Sequence, residues 1–180
     1  MGFLEGKTAI ITGAGFAALK DGSAGSIGYG IATAYAKEGA NLVITGRNAK
    51  KLETAKEKLE AEYGIQVLCV AADVNAGADN QAVVQNVIDQ AIEKFGRIDV
   101  LVNNAQASAS GVTLADHTTD QFDLAIYSGL YGHLLLHAGV LSLPEGDQGL
   151  GSSNFASGCR ASSATSASAP TPPPRRASAA

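Results

Sequence analysis

Apolar runs and amphipathic stretches alternate along the first 131 residues of the chain. Thr8-Ala9-Ile10-Ile11-Thr12, Asn41-Leu42-Val43-Ile44-Thr45-Gly46, Ile65 to Ala71 and Asp99-Val100-Leu101-Val102-Asn103 each have the length and β-branched content of a strand. Between them lie stretches of helical period. Ile27, Ile31 and Tyr35 share one face. From a plausible N-cap at Asn48 to Tyr63, Leu52, Ala55 and Leu59 point inward while Lys and Glu point out. Val84, Ile88, Ala91, Ile92 and Phe95 mark a third helix over 79–95, which Gly96 closes. Thr118 with Gln121 three residues later reads as a capping box, opening a helix to about Tyr131. The third run is apolar nearly throughout, as suits a parallel strand covered on both faces, and Asp73 ends it. Strand and helix in alternation predict an α/β fold, a parallel sheet with helices on both sides.

The connection after the first strand carries candidate chemistry. A glycine-rich loop runs from Gly13 to Gly28 and leads into the first helix, and the next strand follows at once. Glycine at such a turn lets backbone N–H groups approach a bulky anion, and the positive end of the helix favours that anion. The expected guest is the pyrophosphate of a dinucleotide; a merely structural crossover is the alternative. Length, composition and charge narrow the picture further. At 46% hydrophobic and 17% charged, 180 residues can form one globular domain with a sizeable core. A net charge of −4 supplies no basic footprint for nucleic acid, and no apolar run is expected to approach a membrane span. No secretory segment is expected ahead of the first strand. Cys69 and Cys159 lack metal or redox spacing, so a reducing cytoplasm is the expected location. His133 and His137 stand four apart without a third ligand, and no metal site is expected.

Four motifs together resemble the short-chain dehydrogenase/reductase family. They are Thr12-Gly13 before the loop, Gly28 with Ile31-Ala32 after it, Asp73-Val74 at the end of the third strand, and Asn103-Asn104-Ala105 at the end of the fourth. The resemblance covers residues 7–131 and a short island at 152–158. It implies a Rossmann-like, doubly wound parallel sheet, here incomplete with about four to five strands. It also implies hydride transfer between a nicotinamide dinucleotide and a carbonyl or alcohol. Gly13, Ser26, Ile27 and Gly28 would hold the pyrophosphate, Asp73 and Val74 would meet the adenine, and Asn104 and Ala105 would line the path to the nicotinamide. Two alternatives stay open: Asp73 as a strand-end turn residue, and the Asn pair as ties between neighbouring strands. Gly13 and Gly28 stand fifteen apart instead of the common six, and Ser26 replaces a middle glycine. The words from Ser26 to Ala32 therefore also resemble the divergent enoyl-acyl-carrier reductase branch, a second possible reaction.

The second strand ends in Gly46 followed by Arg47, with Lys50 and Lys51 close behind, and no acidic side chain stands there to bind a ribose 2′-hydroxyl. A guanidinium can clamp a phosphate through paired hydrogen bonds, so NADP is the expected cofactor and NAD the alternative.

The catalytic register tells differently. Carbonyl reduction needs a proton donor beside the developing alkoxide, which a tyrosine supplies once a lysine lowers its pKa. Asn154 to Gly158 resembles the family's serine strand, making Ser157 the catalytic candidate. The tyrosine and lysine registers, thirteen residues beyond Ser157 and four further on, fall at Pro170 and Pro174. No tyrosine follows Tyr131, no lysine follows Lys94, and Gly129 occupies the register of the family's helix asparagine. Residues 161–174 contain only Ala, Ser, Thr and Pro, so 159–180 is expected to be a disordered tail, and 132–158 a degraded helix and strand remnant following a 1–131 dinucleotide-binding domain.

The genetic code offers a cause. Ser168 to Arg176 can be back-translated so that a shifted frame reads Cys-Ala-Tyr-Ala-Ala-Ala-Lys-Glu, restoring a tyrosine and a lysine four apart. Gly132 to Gln148 likewise gives Ala-Thr-Phe-Tyr-Tyr-Met-Gln-Ala-Cys-Tyr-Pro-Tyr-Leu-Lys-Glu-Thr-Lys. A frame-shifted reading of a complete reductase is therefore expected, with this chain catalytically silent or acting as a binding module alone. A small-molecule substrate is the implied partner. A homo-oligomer is compatible with the family, whose usual interfaces draw on late helices.

Overall fold

The computed structural model describes residues 2–21, 25–73, 80–107, 109 and 111–143, together with the backbone of 148–154. Val74, Ser157 and the tail expected to be disordered lie outside the described residues.

Five strands, β1 (Thr8–Thr12), β2 (Asn41–Gly46), β3 (Val67–Ala71), β4 (Ile98–Val102) and β5 (Gln148–Asn154), form one sheet in the order β3-β2-β1-β4-β5. All pairings are parallel. Register aligns the carboxyl ends: Thr12 faces Thr45, Gly46 faces Ala71, Ile11 faces Val102, and Val102 faces Asn154. The expected α/β doubly wound architecture is therefore present.

The helices are α1 (Ile27–Lys37), α2 (Ala49–Tyr63), α3 (Asn80–Phe95), α4 (Thr119–Ile126) and α5 (Gly132–Leu141). One face of the sheet packs Ile11, Leu42 and Ile44 against Ala32 and Ala36 of α1 and Leu52, Ala55 and Leu59 of α2. The other packs Ile10, Val43 and Leu101 against Val84, Val87 and Ile88 of α3 and Leu136 of α5. β1 and β2 therefore bury alternate residues into opposite cores, which is why their central positions, Ala9-Ile10-Ile11 and Leu42-Val43-Ile44, are consecutively apolar.

Local signals account for the ends. Asn48 accepts a hydrogen bond from the Lys51 amide at 3.0 Å, and Gly64, at φ 66°, closes α2 in the left-handed region. Thr118 and Gln121 form the reciprocal capping box at the start of α4.

Three expectations are corrected. The inward face of α1 is Gly28, Tyr29, Ala32 and Ala36, while Ile27 is 63% exposed. Close approach of α1 to the strand ends demands small side chains, and that selects the Gly/Ala stripe over the bulkier one. β3 starts at Val67 instead of Ile65 and is only partly covered, with Ala71 exposed, because β2 alone flanks it. Finally, the helix opened at Thr118 does not stop at Tyr131. A π-turn over Tyr127–Tyr131 passes directly into α5, giving a continuous helical run Thr119–Leu141. By length and composition alone that run is long and apolar enough to cross a membrane, against the expectation that no such stretch exists, though a core helix passes the same test. Ser128, Gly132, His133 and Leu136 bury one side of it.

At the amino end of the sheet, Asp99 is 5% exposed and ties β4 to β1. It accepts from the Thr8 amide at 2.9 Å and from Arg97 Nε at 2.8 Å, and it pairs with Lys7 Nζ at 3.2 Å. Burial pushes its carboxyl up, but the Arg97, Thr8 and Lys7 contacts outweigh burial and hold it below the ordinary value. A depressed folded pKa makes this stabilisation present above the unfolded value of about 3.9, and lost as pH falls through the folded one. Urea midpoints of the wild type and Asp99→Asn should therefore differ most at neutral pH and converge as pH drops below about 4.

Candidate functional site

The path from β1 through α1 to β2 lies on one side of β1, and the path from β3 through α3 returns to β4 on the other. The carboxyl ends of β1 and β4 are thus the switch point of the sheet, where connections leave in opposite directions and a crevice must open. A cavity of about 210 Å³ occupies that place. Gly13 contributes from the end of β1, Gly46 and Arg47 from β2, Ala72 and Asp73 from β3, and 104–107 from β4, with Ser128 reaching in from the helical run.

The buried Thr12 hydroxyl organises its floor. Its oxygen accepts from the backbone N–H groups of Asn104 and Ala105, both at 2.8 Å, and it faces the Val102 carbonyl at 3.4 Å. The Asn104 side chain donates back to the Thr12 carbonyl at 2.8 Å and to the Gly13 carbonyl at 3.4 Å. Gly13 has φ 69°, and a Cβ there would lie 3.0 Å from Asn104 Nδ2. A Cβ on Gly28 would lie 2.3 Å from the Gly13 carbonyl oxygen, so only glycine lets α1 approach this closely.

The outer wall is held from the helical run. Ser128 Oγ accepts from the Ala107 amide at 2.9 Å, and lies 3.2 Å from the Ala107 carbonyl and 2.7 Å from the Leu124 carbonyl. His133 Nε2 meets the Ala105 carbonyl at 3.0 Å, and since a carbonyl only accepts, that nitrogen carries the proton. Burial lowers the His133 pKa, with the Ala105 contact opposing, which favours the neutral ring.

The long loop is anchored at its near end. The Ala14 amide donates to the Thr45 carbonyl at 3.1 Å and the Phe16 amide to the Lys51 carbonyl at 2.9 Å. The Phe16 ring stands edge-on to Tyr29 at 5.0 Å, and Lys58 Nζ lies 4.9 Å from its centroid.

Of the residues singled out from sequence, Gly13, Arg47, Asp73, Asn104 and Ala105 converge on the crevice. Ser26, Ile27 and Gly28 are not among its lining residues: Ser26 Oγ accepts from the Tyr29 amide at 3.4 Å as the cap of α1, Ile27 faces outward, and Gly28 packs beneath Gly13. Asn104 both lines the crevice and ties the strand ends together, so the two readings of it are compatible. Sequence reasoning missed the Thr12 hydroxyl as a clamp, missed Gln106 and Ser128 altogether, and weighed His133 only as half of a metal pair. A threonine closing an apolar strand directly before glycine was the available signal for Thr12; Ser128 and His133 carry none. His137 shares an apolar cavity of about 300 Å³ with His133 and Leu134, and among the described residues no cluster of three or more His, Cys, Asp or Glu could hold a metal.

A family model described as short chain dehydrogenase matches residues 7–150. A 12alpha-hydroxysteroid dehydrogenase from Clostridium sp. is 59% identical over 131 residues, covering 73% of this chain and 48% of that protein. The crystal structure of L-sorbose reductase from Gluconobacter frateurii, complexed with NADPH and L-sorbose, superposes with a TM-score of 0.66 at 30% identity, covering 78% of this chain and 48% of that one. NAD+-bound xylitol dehydrogenase gives a TM-score of 0.65 at 26% identity, with coverage of 77% and 48%. The chain spans about half the length of the curated relatives it matches.

Replacing Thr12 by Val keeps the shape but orphans the Asn104 and Ala105 amides. The expected loss is about 2 kcal/mol or more in urea unfolding, with Thr12→Ser close to wild type.

Proposed function

Because this chain belongs to the short-chain dehydrogenase family, whose members are oxidoreductases, we propose that it binds a nicotinamide dinucleotide, NADP in preference to NAD, in the crevice at the ends of β1 and β4. The observation that carries this reading is the convergence of Gly13, Arg47, Asp73 and Asn104 on one cavity at the switch point. When bound, the dinucleotide supplies a hydride that moves to or from a carbonyl or alcohol carbon. The chain's own residues position it. The Gly13–Gly28 approach opens room for the pyrophosphate, Arg47 faces the adenosine end with a fixed positive charge, Asp73 stands at the adenine side, and Asn104 and Ala105 border the nicotinamide side. The likeness to proteins carrying NADPH and NAD+ supports the cofactor class, and Arg47 supports the phosphorylated form.

The complete enzyme would act on a small alcohol or ketone, and the 59% identity to a 12alpha-hydroxysteroid dehydrogenase supports a hydroxysteroid. The chain in hand would bind without turnover. Its sequence has no tyrosine after Tyr131 and no lysine after Lys94, so no residue of the expected type stands at the registers Pro170 and Pro174 to deliver and relay a proton. A shift of reading frame accounts for that loss. Sequencing the coding DNA across residues 128–180 tests it, and an unshifted gene, with a peptide mass matching 161–174, would refute it.

Fluorescence titration should show NADPH bound more tightly than NADH. Arg47→Glu should weaken NADPH by more than about tenfold while changing NADH by less than about twofold, since a paired charge lost and a like charge gained both act on the 2′-phosphate. Purified chain with NADP and a 12-hydroxysteroid should form no NADPH; measurable turnover would sink the claim of catalytic silence.

A further inference from the structure

We propose that Gln106 is a ligand-contacting residue of the crevice, seated by the glycine at 129, and that its amide meets the nicotinamide half of the dinucleotide; this rests on the dinucleotide reading above. Three observations meet at this point. Gln106 lines the crevice beside Asn104 and Ala107. The donors of those neighbours are committed within the protein, the Asn104 side-chain amide N–H to the carbonyls of Thr12 and Gly13, and the Ala107 N–H to Ser128. The Gln106 side chain, by contrast, makes no hydrogen bond to any described residue. At the β4 end of the crevice it therefore offers two N–H donors and a carbonyl acceptor to whatever enters.

Its position is set by the backbone opposite. A Cβ on Gly129 would lie 3.0 Å from Gln106 Nε2 and 3.3 Å from both Cδ and Cγ, so the side chain lies along the groove that the missing Cβ leaves open. Gly129 is the central residue of the π-turn Tyr127–Tyr131, where the Gly132 amide reaches back to the Tyr127 carbonyl. Glycine within a helix and a π-turn within an α-helical run are each destabilising locally, and such turns cluster at functional sites. Here both widen the helix surface where the glutamine lies. The ligand chemistry that fits is an amide or a hydroxyl able to accept and donate at once, as the carboxamide and ribose of a nicotinamide nucleoside do. Arg47 and Asp73 lie at the other end of the crevice, so the adenosine half is out of reach of Gln106.

The full-length chain can be titrated with NADPH and with adenosine 2′,5′-bisphosphate, which lacks the nicotinamide half. Gln106→Leu keeps the bulk and removes the amide. It should raise the NADPH dissociation constant about three- to tenfold, the worth of one or two hydrogen bonds, and leave the bisphosphate unchanged. Gly129→Val, which evicts the side chain, should do the same, and the double variant should bind no more weakly than the weaker single one. Unaltered NADPH binding by Gln106→Leu, an equal loss for both ligands, or a double variant showing the product of the two losses would each overturn the assignment. Gly129→Val is read only at a thermal midpoint equal to wild type; with a lowered midpoint, Gln106→Leu decides alone. Wild-type chain that binds neither ligand overturns the dinucleotide reading itself, a failure distinct from a Gln106→Leu variant that binds as wild type does.

Discussion

The contact on which the rest of the structure depends is the approach of α1 to the end of β1, where Gly28 has no room for a Cβ against the Gly13 carbonyl. This sets the helix start beside the strand end and turns the chain away from the sheet at Gly13, whose positive φ no β-branched residue would tolerate. On the far side β4 must also leave the sheet, exposing backbone amides that a continuing strand would have paired. Thr12 resolves that debt with one oxygen, accepting from two consecutive N–H groups, while Asn104 answers with a donor to β1. The crevice is thus a product of hydrogen-bond satisfaction at the switch point, where Thr12 and Asn104 hold the ends of β1 and β4 together.

Its two ends differ in character. At the β4 end the protein's polar groups mostly serve the protein, which leaves Gln106 as the group facing the cavity. At the β2 end Arg47 is exposed and positively charged, with Lys50 and Lys51 on the next turn. A ligand with an anionic end and a polar, neutral end matches that gradient. The unusually long loop does not disturb it, because the extra residues come after an anchor. Phe16 is fixed between Tyr29 and α2, and the chain re-enters at Ser26, which caps α1 as though no residues intervened. Closing a longer surface loop costs little more than closing a short one, so the insertion is tolerated once both ends are pinned.

Those relations explain what the amino-acid sequence disclosed. Strands β1, β2 and β4 were legible because both faces are covered and their central positions form continuous apolar runs; helix α2 was legible because one face is solvated and its period shows. The inward face of α1 was not, since small residues carry little hydropathy signal and the selection for Gly28, Ala32 and Ala36 comes from interhelix and strand distance, a tertiary quantity. The end of the helix begun at Thr118 was hidden for a similar reason: Gly129 and Gly132 suggest a stop, yet a π-turn absorbs the irregularity and the run continues. Among site residues, Gly13, Arg47, Asp73 and Asn104 could be found because strand ends in a parallel sheet converge on one edge. Ser128 and His133 could not, because their roles depend on which turn of a distant helix faces the loop after β4.

Every described residue lining the crevice lies between Gly13 and Ser128, at the carboxyl ends of β1, β2, β3 and β4 or on the helical run. The registers at which a proton donor and its lysine are expected, Pro170 and Pro174, fall far downstream. Proline has neither a hydroxyl nor a cation, while the hydrogen bonds around Thr12 are made with Val102, Asn104 and Ala105. Phe122, Ile126, Leu130 and Leu134, spaced four apart, are all substantially exposed, a stripe of apolar side chains on one side of a helix whose other side carries Ser128 and His133. The helix therefore holds the crevice wall through its buried face, by way of Ser128 and His133, while its outer face carries apolar side chains where a solvated helix is ordinarily polar.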